Sequence, residues 1–427
     1  MSEEIQADNQ FDRRSFMGGA LGAAAGIGAA GLAAPGTVLA QAAPPTSTGI
    51  EARYAPPAAA KPQLFRAEQV GSFLRPRYLL DARDQFRRQA LTATALREIE
   101  DRAIVELVAF QEGLGLQAIS DGEFRRRHFH TDFLLQLDGV EEQGGLPTKF
   151  HKATGEVDFA PPVMAITGRI RHAHGIEVDN YRHLASLTRR TPKITIPSPT
   201  MLHFRGGREG ISRELYPDMD QFFADVVTAY QAEVQQLGDA GLTYLQLDDT
   251  NLAYLCDGTQ RERATARGED PNLLPRQYAK LISDALATKP AGMATGIHLC
   301  RGNYRSSWAA EGGYEPVAEV LFNELAVDAF FLEYDDARSG DFQPLRHLPK
   351  GKTVVLGLVT TKVGALESRD DILRRIDEAA KFCPLDQLAL SPQCGFASTE
   401  QGNELSVAQQ DAKMRLVIDL AREVWGD

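Results

Sequence analysis

From Leu64 to the C-terminus, short apolar runs rich in β-forming residues alternate with longer amphipathic stretches. Strands that alternate with helices favour a parallel sheet, and eight repeats predict a (β/α)8 TIM barrel. An open doubly wound sheet is the alternative, but no glycine-rich phosphate loop follows the first run. The eight runs end near Ser72, Ser120, Ile196, Leu247, His298, Glu333, Gly357 and Leu390.

The stretches between the runs carry helix signals. Residues 218–237 follow Pro217-Asp218, which is typical of an N-cap, and are expected to end at Gly238. Residues 369–382 and 406–424 place apolar residues at three- and four-residue spacing, which predicts two more helices.

A less regular segment, residues 124–191, predicts an insertion after the second strand that caps the barrel mouth. Its apolar run at residues 163–166 fits an extra hairpin.

The composition is that of a globular protein, with 43% hydrophobic and 24% charged residues among 427. The formal net charge is −12, and basic residues form only short pairs and triplets. Because phosphate neutralisation needs a basic face, nucleic acid is not expected as a partner.

The N-terminal residues differ from the rest of the chain. Arg13-Arg14 precede a weakly hydrophobic stretch of Gly and Ala, and small residues follow near Ala40-Gln41-Ala42. This pattern predicts that residues 1–42 are a twin-arginine signal, read by the twin-arginine export machinery, and that the protein is periplasmic. A membrane anchor is the alternative, which Pro35 and the many glycines disfavour.

Residues 43–62, rich in Ala, Pro and Thr, predict a linker. Residues 63–427 are then expected to form the barrel domain.

Polar residues concentrate at the C-terminal ends of the predicted strands, where barrel enzymes place their chemistry. Core strands of a soluble protein seldom need charged ends, so the pattern predicts a site at this end of the barrel. In chain order these residues are Asp121-Gly122-Glu123, Asp248-Asp249, His298-Leu299-Cys300, Glu333, Lys362 and Cys394.

Four of these residues predict a Zn²⁺ site. His298 and Cys300 are two apart on extended chain, so both side chains can turn toward one point. Glu333 and Cys394 approach from the sixth and eighth strands. Two thiolates, one imidazole and one carboxylate suit tetrahedral zinc, whereas magnesium and calcium prefer oxygen ligands.

The four cysteines have a second interpretation. In an exported protein Cys256, Cys300, Cys383 and Cys394 could form two disulfides. Twin-arginine substrates typically cross the membrane already folded, often with a metal or cofactor inserted, so thiolate ligands are also compatible with export. Cys256 and Cys383 have no ligand partners nearby and are expected to be ordinary buried thiols.

From about Leu64 onward, the chain resembles the catalytic domain of cobalamin-independent methionine synthases (5-methyltetrahydropteroyltriglutamate–homocysteine S-methyltransferases). Residues 333–341 are similar to the shorter, single-barrel branch of that family. Six motifs occur in the family's order: Val70-Gly71-Ser72-Phe73, Asp121-Gly122-Glu123-Phe124, Leu247-Asp248-Asp249, His298-Leu299-Cys300, Leu332-Glu333 and Ser391-Pro392-Gln393-Cys394-Gly395.

The resemblance implies a role for each matched residue. The four predicted zinc ligands would hold the metal, and the substrate thiol, homocysteine in the family, would join it and lose its proton. Glu123 and Asp248 would bind the ammonium group of that substrate, and the backbone of Val70, Gly71 and Ser72 would meet its carboxylate. The alternative for the two acids is a helix cap or a loop salt bridge.

Two positions depart from the family's pattern. Many bacterial members carry a proton-donating histidine after the seventh strand, where this chain has Lys362. A lysine could protonate a departing amine, or it could lie at the surface. Where the family has a tryptophan that stacks on folate, this chain has Phe204, whose smaller ring can also stack.

The sequence therefore predicts a zinc-dependent S-methyltransferase acting on homocysteine or a related small-molecule thiol. The family's methyl donor is a folate. Because folates are cytoplasmic and export is predicted, a methyl corrinoid or another donor stays open. The alternatives are a zinc thiolate alkyltransferase with another thiol and donor, and a non-catalytic exported protein that binds zinc or a thiol.

Overall fold

A computed structural model describes residues 64–152 and 154–426 of the chain. The predicted signal and linker therefore lie outside the described residues. The helices are α1 (Arg77–Arg87), α2 (Ala93–Leu114), α3 (Thr131–Leu134), α4 (Val178–Leu187), α5 (Met219–Asp239), α6 (Asn251–Tyr254), α7 (Gly258–Ala266), α8 (Leu274–Ala285), α9 (Glu315–Asn323), α10 (Arg369–Ala379) and α11 (Val407–Trp425). The strands are β1 (Ala118–Ile119), β2 (Asp138–Gly145), β3 (Thr148–Lys152), β4 (Gly155–Phe159), β5 (Pro162–Arg171), β6 (Thr191–Pro192), β7 (Ile194–Pro197), β8 (Tyr244–Asp249), β9 (Ala294–Leu299), β10 (Ala329–Glu333), β11 (Thr353–Val359) and β12 (Leu388–Pro392).

Six parallel strands form the central sheet, in the spatial order β12-β11-β10-β9-β8-β7. Nearly every residue of these strands is buried, as expected for a parallel sheet covered on both faces. This arrangement confirms a mixed α/β fold, and it confirms the predicted strands from the third to the eighth.

The first two predicted strands are much shorter than the others. β1 makes a two-residue parallel pair with β6. In the first run only Ala67 forms a bridge, parallel to Leu390 of β12. The prediction of a regular first strand ending near Ser72 is therefore wrong.

Among the described residues, β12 bonds the backbone of this first run only at Leu390, which accepts from the Glu68 N–H and donates to the Arg66 oxygen. Side chains take the backbone oxygens of residues 69–71. Lys193 Nζ donates to the carbonyl oxygen of residue 69 at 2.6 Å, and Gln246 Nε2 donates to that of Val70 at 2.5 Å. Ser120 Oγ donates to the Gly71 oxygen at 2.7 Å. These bonds satisfy the buried carbonyls without a ladder, which explains why the run is not a regular strand.

Helix α5 begins as predicted and ends later than predicted. The Asp218 side chain accepts a hydrogen bond from the Asp220 N–H at 2.9 Å and caps the helix. Gly238, predicted as the end, lies inside α5. A Cβ there would stand 2.5 Å from Pro290 Cγ, so this glycine allows close packing and does not terminate the helix.

Helices α10 and α11 confirm the two other helix predictions, although α10 ends at Ala379, three residues early. α11 begins with a capping box in which Ser406 and Gln409 bond each other's backbone N–H groups. Within the described residues, no helix combines the length and apolar character needed to cross a membrane.

The predicted insertion contains two antiparallel strand pairs. β2 pairs with β5, which includes residues 163–166, so the extra hairpin is confirmed. β3 pairs with β4, and we call this unit, Thr148–Phe159, the hairpin. It packs on the loop after β9, where His151 and Trp308 form a backbone bridge and the Phe159 and Tyr304 rings stack with centroids 3.8 Å apart.

Candidate functional site

The four predicted metal ligands meet at the C-terminal ends of three strands. His298 lies in β9, and Cys300 is the first residue after that strand. Glu333 is the last residue of β10, and Cys394 follows β12. All four are buried, and one ligand atom from each lies within 4.8 Å of the others. The Cys300 and Cys394 sulfurs are 3.5 Å apart, and His298 Nε2 is 3.9 Å from Glu333 Oε1.

The donor atoms of this cluster are suited to a metal. Both ring nitrogens of His298 and the Oε2 atom of Glu333 are buried without a hydrogen-bond partner among the described residues. Buried polar atoms left unpaired are costly, and a bound cation would satisfy them. Two sulfurs, one nitrogen and one carboxylate oxygen match the ligand preferences of zinc.

Mutual interactions shift the pKa values within the cluster. Burial raises the pKa of Glu333, and the Cys394 charge raises it further. Burial acts to lower the pKa of His298, but the negative charges of Cys394 and Glu333 outweigh it and raise the pKa to about 9. The hydrogen bond between the thiols raises the pKa of Cys300 and lowers that of Cys394. Metal binding must displace these protons, so it is expected to weaken in acid.

The cluster opens on a small cavity, which we call the inner cavity. The structure thus brings Glu123 and Asp248 to the same space as three of the four predicted metal ligands. Its lining includes Val70, Ser72, Glu123, Asp248, His298, Cys300 and Cys394.

Glu123 is held in a strained backbone conformation, with φ of +58°. Its N–H donates to Asp121 Oδ1 at 2.9 Å. Its Oε1 accepts from Thr195 Oγ1 at 3.0 Å and lies 3.9 Å from Arg126 Nη1. Its Oε2 is buried without a partner in the described part of the chain, and so it is free to bind a ligand.

Glu123 and Asp248 both lack a full counter-charge. Burial raises the pKa of Glu123 to about 8; Arg126 opposes the shift, and Asp248 adds to it. Burial also raises the pKa of Asp248 to about 6, although Gln246 donates to its Oδ1 at 2.7 Å. Two buried carboxyl groups of this kind are suited to a cationic ligand group, which would favour their charged forms.

Glycines allow the first run to approach the site. A Cβ at Gly395 would lie 2.0 Å from Ser72 Oγ, so a side chain at position 395 would collide with the predicted substrate-binding serine. Gly71 has φ of +137°, which few L residues adopt. It does not appear among the lining residues, but its neighbours Val70 and Ser72 do.

Lys362 is buried, so the alternative of a surface lysine is wrong. Its Nζ lies 3.4 Å from the Gly302 oxygen, 3.3 Å from the Ser307 oxygen and 3.5 Å from Asn303 Oδ1. The ammonium group therefore braces the loop that follows Cys300, and it does not line the inner cavity.

Phe204 lies outside the inner cavity. Its ring packs edge-on against Tyr254 and Tyr278, with centroids 6.0 and 6.3 Å away, and the Arg267 guanidinium lies 5.6 Å from its centroid. The structure does not bring Phe204 together with the metal ligands.

A second cavity, which we call the outer cavity, adjoins the inner one at Phe129, Cys300 and Ser398. Its walls include Phe150 and Phe159 from the hairpin. Its remaining lining includes His128, His130, Arg205, Tyr254 and Tyr304.

His130 and Arg205 are the notable polar pair of the outer cavity. Arg205 Nη1 donates to His130 Nε2 at 2.9 Å, which leaves the proton on His130 Nδ1. That Nδ1 is buried without a partner in the described structure. Burial and the neighbouring Arg205 charge lower the pKa of His130 well below its usual value, which keeps the ring neutral.

Sequence reasoning missed this pair, and it also missed Arg126 and Thr195. The run Arg125-Arg126-Arg127-His128-Phe129-His130, directly after the Glu123 motif, was the available signal. Basic and aromatic residues so close to a predicted site residue indicate further ligand contacts. Thr195 lies inside an apolar strand and gave no comparable signal.

The fold and the site together define a class of protein. It is an α/β protein whose parallel strands end at a buried cluster of cysteine, histidine and glutamate side chains suited to a metal ion. Residues 65–419 match the family described as cobalamin-independent synthase, catalytic domain. Because the match spans most of the chain, the chain belongs to this family. Zinc, predicted from the sequence, is the metal of this family, and the four-residue cluster could hold it.

Curated relatives include proteins of similar and of greater length. The chain is 45% identical over 366 residues to the uncharacterized protein YxjH of Bacillus subtilis (strain 168), which covers 84% of this chain and 95% of YxjH. It is 24% identical over 367 residues to a 5-methyltetrahydropteroyltriglutamate–homocysteine methyltransferase of Bacillus velezensis, covering 84% of this chain and 43% of that enzyme.

Two solved structures have a similar fold. A candidate vitamin-B12-independent methionine synthase from Listeria monocytogenes is 38% identical with a TM-score of 0.68, covering 86% of this chain and all of the other. A B12-independent methionine synthase from Shewanella sp. W3-18-1, solved with selenomethionine, is 19% identical with a TM-score of 0.62, covering 85% and 98%. The second likeness concerns the fold alone.

Proposed function

We propose that the protein is a zinc-dependent S-methyltransferase that transfers a methyl group to homocysteine or a related thiol, giving methionine or a thioether. One observation carries the proposal: three of the four metal ligands, His298, Cys300 and Cys394, line the same cavity as the Glu123–Asp248 pair. An amino-acid thiol offers a sulfur to the cluster and an ammonium group to the carboxylates.

In this proposal His298, Cys300, Glu333 and Cys394 hold Zn²⁺. When bound, zinc lowers the pKa of a thiol that joins it, and so provides a thiolate nucleophile at neutral pH. The chain contributes burial: all four ligands are buried, and electrostatic interactions are stronger where water is excluded.

The carboxylates of Glu123 and Asp248 would orient the substrate. Glu123 Oε2 is the free acceptor, while Thr195 and Arg126 hold Oε1. The backbone of residues 70–72, with Ser72 at the cavity wall, would meet the substrate carboxylate.

The methyl donor would enter through the outer cavity, which reaches Cys300. No Asp or Glu belongs to its described lining, and His130 Nδ1 and Arg205 supply N–H donors. These features favour a neutral or anionic donor that carries acceptor groups. A folate fits that description, and a corrinoid or another alkyl donor is the alternative.

Aromatic rings of the outer cavity, among them Phe129, Phe159 and Tyr254, would make the stacking contacts that the sequence suggested for Phe204. Lys362 would supply the proton to the leaving group. The oxygens around its Nζ hold it beside the loop that begins at Cys300.

We also propose that the sheet closes as a (β/α)8 barrel capped by the insertion. The bridge from Ala67 to Leu390 and the pair between β1 and β6 support closure. Residues 1–42 would direct the chain to the periplasm by the twin-arginine route, and residues 43–62 would link the signal to the domain.

Turnover tests the proposal. Zinc-loaded protein is screened with homocysteine, cysteine and thiols that lack an amino group, each with methyltetrahydrofolate, a methyl corrinoid and other methyl donors. Methylation of homocysteine supports the proposal, whereas methylation of a different thiol supports the alkyltransferase alternative. Tight homocysteine binding without methyl transfer from any donor supports the non-catalytic alternative, which the placement of Lys362 outside the inner cavity favours.

A further inference from the structure

Arg301, directly after Cys300, is a fully buried cation without a polar partner. Its relative exposure is 0%. None of its three side-chain nitrogens makes a hydrogen bond to any described residue, and none lies within salt-bridge distance of a described carboxylate. Burying an isolated charge is costly unless an opposite charge compensates it. The question is which anion compensates this guanidinium.

Two contacts connect Arg301 to the ligand Glu333. The Arg301 backbone N–H donates to Glu333 Oε1 at 3.1 Å. The guanidinium carbon lies 4.4 Å from the centroid of the Tyr314 ring, and the Tyr314 hydroxyl oxygen accepts from the Glu333 N–H at 2.9 Å. Arg301 and Tyr314 thus pack against the residue that closes the metal cluster.

The metal centre has a surplus of negative charge. Two thiolates and one carboxylate carry three negative charges, against two positive charges on a zinc ion. Two other cations lie near the cluster, but other groups share their charge. Lys362 Nζ is surrounded by backbone oxygens. Arg338 Nη2 lies 3.7 Å from Glu333 Oε2, and Arg338 makes closer ion pairs with Asp335 and Asp336. Arg301 has no such engagement in the described structure.

We propose that Arg301 is the counter-charge of the metal centre, a positioning residue that stabilises the zinc-bound cluster without being a ligand. The inference rests on the zinc site of the proposed function. The Arg301 charge would act on the metal ligands at a distance, because electrostatic interactions are strong in a buried environment. Residues around a ligand shell commonly change metal affinity by about 10- to 100-fold.

The test is zinc affinity, measured by competition with a chromophoric chelator in the full chain. Arg301→Met and Arg301→Gln remove the charge and are expected to weaken zinc binding about 10- to 100-fold. Arg301→Lys keeps the charge and is expected to stay close to the native affinity. Tyr334→Phe is the matched control, because it removes another unpartnered buried polar group beside Glu333 without changing the charge.

Thermal unfolding of the zinc-free variants separates this role from a structural one. The Arg301 nitrogens have no hydrogen-bond or ion-pair partner among the described residues, so only the contact with the Tyr314 ring is lost. The neutral variants are therefore expected to unfold close to the native temperature. Native zinc affinity in the neutral variants, or their failure to fold without zinc, would overturn the inference alone. If the native chain bound no zinc, the proposed function would fail first and the inference with it.

Discussion

Gly71 lies so close to Glu123 that a Cβ at position 71 would stand 2.8 Å from Glu123 Oε1. Gly71→Ala is therefore expected to displace the carboxylate and to strain a backbone with φ of +137°. We expect KM for homocysteine to rise roughly 10-fold or more, as a cost of about 1–3 kcal/mol implies. Gly113→Ala is the control, since nothing lies within 4 Å of a Cβ there. An unchanged KM in Gly71→Ala would mean that Glu123 does not touch the substrate.

Cysteine substitutions separate the metal ligands from the other thiols. Cys300→Ser and Cys394→Ser are expected to lose bound zinc, measured as metal content after dialysis, because each removes a sulfur from the cluster. Cys256→Ser and Cys383→Ser should keep it, since both thiols are free, buried and outside the cluster. Full zinc retention in both of the first two variants would refute the site.

The raised pKa of Glu123 predicts a pH-dependent stability. Its carboxyl group has a pKa of about 8 in the folded chain, against an ordinary value of 4.5. Between these values the folded state holds more protons than the unfolded state, so the free energy of unfolding falls as pH rises. The slope approaches about 1.4 kcal/mol per pH unit in mid-window.

Urea unfolding at pH 5 and pH 8, without added thiol and at equal zinc content, measures this effect. From pH 5 to pH 8, the free energy of unfolding is expected to fall more in the native chain than in Glu123→Gln, because the amide of the variant does not titrate. Asp248 titrates in both proteins, and its charge interacts with that of Glu123, so the difference between the two proteins reports on the interacting pair. Equal losses would show that Glu123 does not carry the shifted pKa.

Lys362→Met tests the proposed proton donor. Loss of a general acid typically lowers kcat by about 10²- to 10⁴-fold, and KM is expected to change little. Lys352→Met is the matched control, because Lys352 Nζ also donates to backbone oxygens, those of Phe322 and Leu325, in a half-buried setting. Proton donation by Lys362 would be contradicted if kcat fell by a similar factor in both variants, or if it fell in neither of them.

The twin-arginine signal is tested independently of activity. Residues 1–42 fused to a reporter are expected to direct it across the membrane, and Arg13→Lys with Arg14→Lys should block its export. Export of the doubly substituted fusion at the native level would contradict the prediction.

The predicted strands from the third to the eighth, and the meeting of their polar ends, followed from the sequence. The reason is geometric: the carboxyl ends of parallel strands meet at one edge, so residues such as His298 and Glu333 converge once β9 and β10 are neighbours. The same argument brought Glu123 and Asp248 to one cavity. Strand order and side-chain polarity were enough for this part of the site.

Other features depend on contacts that no local pattern encodes. In the first run, Lys193, Gln246 and Ser120, all distant in sequence, bind the carbonyl oxygens of residues 69–71 in place of a strand ladder. Gly238 was predicted to end a helix, but the position requires a glycine because Pro290, on another segment, packs closely against it. Whether an aromatic ring such as Phe204 faces a cavity or the core depends on the direction of its side chain, which sequence spacing does not fix.

The stack of Phe159 on Tyr304 joins the hairpin to the loop that follows the metal ligand Cys300. Tyr304 lies four residues after Cys300, while Phe159 belongs to a hairpin that carries none of the metal ligands. We expect natural or engineered variation in that hairpin to retune which donor is accepted while leaving the metal chemistry intact. Changes in the hairpin would then alter the specificity for the methyl donor without changing the metal site.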